Sequence, residues 1–149
     1  MNKLYPALLC VSLLLNFGCS QNTDPIVAVS LTEKRGEYRL ETTFHKSGAM
    51  FRGYYHESSN LYEKQTEAEI SDDIINQIWS ALENGKIKRK LLSQEPEGDF
   101  KSIGVVWDGG DSSYGANYSY ADIPPLSPLL EVLEIIQANQ LDNWVIPEK

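Results

Sequence analysis

Tyr38-Arg39-Leu40-Glu41-Thr42-Thr43-Phe44-His45 is the stretch that sets the fold. Successive side chains of a β-strand point to opposite sides, so Tyr38, Leu40, Thr42 and Phe44 share one face while Arg39, Glu41, Thr43 and His45 share the other. One apolar and one wet face predict an antiparallel strand of a sheet that is covered on one side only. Lys46-Ser47-Gly48 supplies a short hairpin turn, with Gly48 free to take a positive φ. Met50 to His56, rich in Phe and Tyr, returns as the partner strand.

Working outward, Ile26 to Thr32 is β-branched, with Val27, Val29 and Leu31 on one side, and Lys34-Arg35-Gly36 forms the turn that joins it to Tyr38. Downstream, Ser58-Ser59-Asn60 breaks the chain before a fourth strand, Tyr62 to Ile70. It carries Glu63, Glu67 and Glu69 on one face and Thr66, Ala68 and Ile70 on the other. Ser71 is an N-cap, Asp72 and Asp73 suit the positive end of a helix dipole, and Ile74, Ile75, Ile78, Trp79 and Leu82 make an apolar stripe. Gly85 stands at the C′ position. A small basic cluster (Lys86, Lys88, Arg89, Lys90) follows, then a polar, acidic loop from Ser93 to Asp99.

Lys101 to Trp107 places Ile103, Val105 and Trp107 on one face of a fifth strand. Asp108-Gly109-Gly110-Asp111 turns it into a sixth, Ser112 to Ala121, with Tyr114, Ala116, Tyr118 and Tyr120 on one face. After Pro124 and Pro125, Ser127 caps a second helix with Pro128 at its first position and Leu129, Val132, Leu133 and Ile136 as its buried stripe. Trp144 to Ile146 is a short apolar tail expected to dock on the domain. The order β-β-β-β-α-β-β-α predicts an α+β fold, an antiparallel sheet of about six strands with two helices packed on one face.

The N-terminal end has a different character. Lys3 precedes a mostly apolar run from Leu4 to Phe17, too short for the roughly 20 residues a membrane-spanning helix needs. Leu13-Leu14-Leu15-Asn16-Phe17-Gly18-Cys19-Ser20 closes it and resembles a bacterial lipoprotein signal, in which the cysteine after a small residue is lipidated. Asn16 occupies the place where that pattern usually has leucine. The resemblance implies residues 1–18 as a signal peptide, Cys19 as the lipidated first residue, 19–25 as a short tether and 26–149 as a single domain. Ser20, where a retention signal would have aspartate, implies the outer membrane of the cell envelope. Cys10 would leave with the signal, so the domain is expected to hold together by packing without a disulfide.

The chain carries a net charge of −8, which becomes about −9 once Lys3 is removed. Such a balance argues against nucleic acid as a partner, since its recognition relies on basic patches. No Gly-x-Ser-x-Gly elbow is present, and the two histidines, His45 and His56, fall at opposite ends of the proposed hairpin. No catalytic residue, metal site or cofactor is expected. Asp108, Asp111 and Ser112 offer oxygen ligands in a Gly-rich turn, but a tight hairpin wants the same residues with no metal. Five tyrosines, Tyr54 and Tyr55 on one hairpin with Tyr114, Tyr118 and Tyr120 on another, are the candidate binding surface. Tyrosine joins a large apolar ring to a polar tip, which suits a protein or sugar partner; it equally suits the edge of a core with the hydroxyl in water.

From Ser71 onward, a helix, a hairpin with an Asp-Gly-Gly turn, a proline-rich connection and a leucine-rich last helix resemble emfourin-type bacterial inhibitors of metalloproteases. The stretches concerned are Ile103 to Gly110 and Pro124-Pro125-Leu126-Ser127-Pro128-Leu129-Leu130, within about half of the mature chain. Where that family begins with a Gly-Gly-Phe-like motif, this chain has Ser47-Gly48-Ala49-Met50-Phe51. The resemblance implies inhibition of an enzyme and assigns no inhibitory residue. The function expected is thus a membrane-anchored, non-enzymatic protein-binding module (an inhibitor, immunity protein or envelope accessory) with an envelope or secreted protein as partner. The alternative is a small envelope hydrolase using Asp108 and Asp111, or a glycan-binding protein.

Overall fold

The computed structural model describes residues 24–59, 61–88 and 96–143. Residues 1–23, with Cys19 among them, the basic residues Arg89 and Lys90, and the stretch Trp144 to Ile146 lie outside the described residues; of the expected tether, 19–25, only Asp24 and Pro25 are described. Six strands and two helices follow the expected order: β1 (Ile26–Arg35), β2 (Tyr38–His45), β3 (Ala49–His56), β4 (Tyr62–Glu69), α1 (Asp72–Glu83), β5 (Phe100–Asp108), β6 (Ser113–Ser119) and α2 (Pro128–Ala138). A 3-10 turn, Tyr120–Asp122, follows β6. No described helix is long and apolar enough to cross a membrane.

The strands form one antiparallel sheet in the order β4-β3-β2-β1-β5-β6. The first strand is therefore central, paired with β2 on one side and β5 on the other. Register puts the alternating apolar sets on a common face: Val29 stands opposite Phe44 and Val105, and Leu31 opposite Thr42 and Ile103. Both helices lie on that face. Ile78, Leu129, Val132 and Ile136 are fully buried against Val29, Phe44, Ile103 and Val105. Trp79 ties α1 to the start of β1 by donating from its indole to the Ile26 carbonyl at 3.3 Å.

The ends of the helices show how local chemistry serves this packing. Ser127 caps α2 as expected, its side chain accepting from the Leu129 amide at 3.3 Å, with Pro128 behind it. Ser71 precedes α1 in extended conformation but makes no side-chain cap bond. Gly85 follows α1 for a steric reason: a Cβ there would lie 2.3 Å from Cγ of Pro128. The glycine lets the end of one helix touch the start of the other. At the end of α2, the Leu141 amide reaches the Ile136 carbonyl and the Gln140 amide the Gln137 carbonyl, with Gln140 at φ 55°. This is a Schellman closure with glutamine in the left-handed place that glycine usually fills.

Candidate binding surface

The five tyrosines do not make one surface. Tyr54 and Tyr55 are consecutive in β3 and so point to opposite sides of the sheet. Tyr54 stands opposite Leu40, on the helix-covered face, and is buried with its ring edge-on to Tyr38 at 6.2 Å between centroids. Tyr118 stands opposite Ile103 and is also in the core; its hydroxyl donates to the Lys88 carbonyl at 2.5 Å, and burial raises its pKa. Tyr114 is opposite Trp107 in the same register. Tyr120, in the 3-10 turn, is half-buried, and burial first, then the charges of Asp142 and Glu33, push its phenol well above the ordinary range. Tyr54, Tyr118 and Tyr120 belong to the helix-covered side of the molecule by register or burial, which corrects the pooled reading. Tyr55 is on the open face, opposite Arg39.

On that face Tyr55 gains a partner the sequence reading passed over. Tyr62, at the start of β4, stands opposite Tyr55 with the rings edge-on at 5.4 Å. A bulge makes this possible, since Tyr54 pairs with Lys64 and Tyr55 with Tyr62, leaving Glu63 as the extra residue. Gly53 is the second requirement. A Cβ at Gly53 would sit 2.5 Å from Cδ1 and Cε1 of Tyr62, so the phenol ring lies directly on the glycine backbone. An aromatic laid over a strand glycine covers backbone that would otherwise be bare.

Glu41 of β2 completes the cluster. It is opposite Gly53, and its carboxylate accepts from the Tyr62 hydroxyl at 2.5 Å and from Tyr55 at 3.4 Å. The Glu41 hydrogen bond, aided by burial and by the negative charge, pushes the Tyr62 phenol up to about 12. Beside it, Phe51 and His45 pack edge-on at 5.3 Å. Together Glu41, Thr43, His45, Phe51, Arg52, Gly53, Tyr62 and Gln65 line an open depression of about 210 Å³.

The electrostatics of the open face divide it lengthwise. Near the β1–β2 turn, Lys34 and Arg39 are both drawn to Glu57, at 3.0 and 3.7 Å, and the Arg39 guanidinium lies 5.7 Å over the Phe100 ring. Toward β4 the face carries Glu41, Glu67 and Glu69, the last two opposite Phe51 and Ala49. The depression is thus aromatic, with Glu41 as the carboxylate in its lining and Glu67 and Glu69 beside it, while the Arg52 guanidinium is hydrogen-bonded to the Leu141 and Asn143 carbonyls.

Other candidate chemistry is accounted for locally. His45 and His56 are at opposite ends of the hairpin and on opposite faces; His56 contacts Glu37 and Ser58 at 3.0 and 2.7 Å and the Tyr38 ring. Asp108 closes its own turn, accepting from the Gly110 amide at 3.0 Å, while the Gly109 amide reaches the Ser112 carbonyl. Among the described residues no three His, Cys, Asp or Glu side chains converge as a metal ion would require. On the helix side, a pocket lined by Glu33, Thr42, Lys101, Tyr120 and Asp142 encloses about 10 Å³, room for about one water. The chain matches no protein-family model and no curated protein. The stretches Ile103 to Gly110 and Pro124 to Leu130 form β5 with its turn and the approach to α2 with its first residues.

Proposed function

We propose that this chain is a non-enzymatic protein-binding module, held to the outer membrane of a bacterial envelope by lipid on Cys19, and that it meets its partner with the open face of the sheet. The observation that carries this reading is the Glu41–Tyr55–Tyr62 cluster laid over Gly53. Two tyrosine rings fixed by one carboxylate form a rigid, amphipathic patch at low entropic cost, the kind of surface protein interfaces use as an anchor. Its acidic surroundings suit a partner that presents basic side chains, and association should weaken with salt. Inhibition of an enzyme, as the emfourin resemblance suggests, is one form this binding would take.

The test is affinity capture from envelope extract with the parent chain and with Tyr55→Ala/Tyr62→Ala. The reading expects a stoichiometric partner retained by the parent and lost by the double variant. A partner held equally by both, or none, sinks it. The address is tested separately: Cys19→Ser should move the chain from the membrane to the soluble fraction.

A further inference from the structure

The two edges of the sheet are built differently. An edge strand exposes unpaired amides and carbonyls, which natural proteins guard with charges, proline or bulges. β4 is guarded: it carries Glu63, Lys64, Glu67 and Glu69, contains the bulge at Glu63, and is exposed along its whole length. β6, the other edge, is Ser113-Tyr114-Gly115-Ala116-Asn117-Tyr118-Ser119, with no charged residue, no proline and no break in its register with β5.

The hydrogen-bond phase of β6 follows from its hairpin. The Gly109 amide bonds the Ser112 carbonyl, so in the shared register the ladder bonds alternate onto Trp107–Tyr114, Val105–Ala116 and Ile103–Tyr118. The amides and carbonyls of Ser113, Gly115, Asn117 and Ser119 therefore point away from β5. No backbone bond to another described residue takes them up.

The sequence of this edge is a near palindrome about Ala116. Read against itself in the antiparallel sense, Ser113 meets Ser119, Tyr114 meets Tyr118, Gly115 meets Asn117 and Ala116 meets itself. We infer that β6 is a homodimerisation edge, pairing antiparallel with β6 of a second copy about a two-fold axis at Ala116 and joining two six-stranded sheets into one. This register is the one that matches the phase. All four outward-facing residues fall in bonded pairs, giving about eight new backbone hydrogen bonds, while Ala116 and the tyrosines fall in the unbonded positions. A two-fold contact must be self-complementary, and a palindromic strand is so residue by residue.

One side-chain detail agrees. Asn117 Oδ1 is buried without a hydrogen-bond partner. It leans inward over Gly104 of β5, away from the outer edge, and in the paired edge Asn117 lies opposite Gly115 of the second copy, where no side chain competes for space. Pairing along β6 leaves Glu41, Tyr55 and Tyr62 at the far end of each sheet, so the dimer would display two binding patches.

The test is sedimentation of the full chain in detergent solution across a concentration series. The parent should reach a two-chain mass. Ser113→Lys with Ser119→Lys sets like charges opposite each other at both ends of the edge and should weaken association by about tenfold or more. Ser113→Lys with Ser119→Glu restores opposite charges in the same pairs and should return association to at least the parent's strength. Asn117→Pro, which removes an outward amide and no β5 bond, should also yield a single-chain mass. A parent that stays a single chain overturns the inference. So does a dimer indifferent to the lysine pair and the proline, or one that the lysine–glutamate pair fails to rescue.

Discussion

The same strands make both faces of the sheet, and Tyr54 and Tyr55 show how far the two diverge. Tyr54 turns to the helices and disappears into the core, its ring edge-on to Tyr38. Tyr55, one residue on, is held at the surface by Tyr62 and Glu41. The covered face is stabilised by dry packing of large side chains such as Phe44, Ile78 and Ile136. The open face is organised by cross-strand hydrogen bonding and ring contacts. Stability resides mainly in the first, and the proposed recognition in the second, so substitutions on the two faces should have separable effects.

The largest effect is expected from Phe44→Ala, which removes a fully buried ring and leaves a cavity costing about 3–5 kcal/mol, measurable by urea unfolding. Its neighbour Thr43, on the open face, should tolerate alanine within about 0.5 kcal/mol. Equal losses at the two positions would break the contrast. Next is Gly85→Val, which must drive the helix ends apart at Pro128 and should cost about 1–3 kcal/mol in the same assay. Ser127→Ala, by removing the α2 cap, should cost about 1 kcal/mol. Gln140→Gly should act in the other direction, a gain of up to about 1 kcal/mol by relieving the left-handed glutamine.

On the open face the expected change is spectroscopic more than energetic. The Tyr62 phenol, pushed up to about 12 by Glu41, should titrate above the unperturbed tyrosine range of about 10, and Glu41→Gln should bring it down. Ultraviolet difference titration of the parent against Tyr62→Phe isolates this group from Tyr118 and Tyr120. Because the folded pKa is raised, the stabilisation from this bond is fully present below about pH 10 and is lost as pH rises toward about 12. Any difference in melting temperature between parent and Tyr62→Phe should shrink across that window.

The alternation in Tyr38–His45 was enough to foresee a sheet with one covered side, and the stripes at Ile75–Leu82 and Leu129–Ile136 were enough to place two helices on it. The central position of β1 was not legible, because its pairing with β5 joins segments some seventy residues apart with no local signal. Gly85 looked like a helix stop and proved to be a contact point, since a sequence does not show what approaches a glycine from another helix. The site was half visible. Period-two alternation already separated Tyr54 from Tyr55, so grouping them overlooked a signal that was there. The Glu41–Tyr55–Tyr62 cluster depends on a bulge at Glu63 and on the β2–β3–β4 register. Only Gly53, a glycine inside an aromatic strand, hinted that another side chain comes close to the backbone there.

The most direct measurement is oxidative footprinting of the full chain, in buffer and in envelope extract, with modification read residue by residue. Engagement through the open face should protect Tyr55, Tyr62 and Phe51 in the extract and leave exposed Leu126, beside α2, unchanged. Equal reactivity of Tyr55 and Tyr62 in the two conditions, or protection confined to the helix side, would contradict the assignment of the open face as the binding surface.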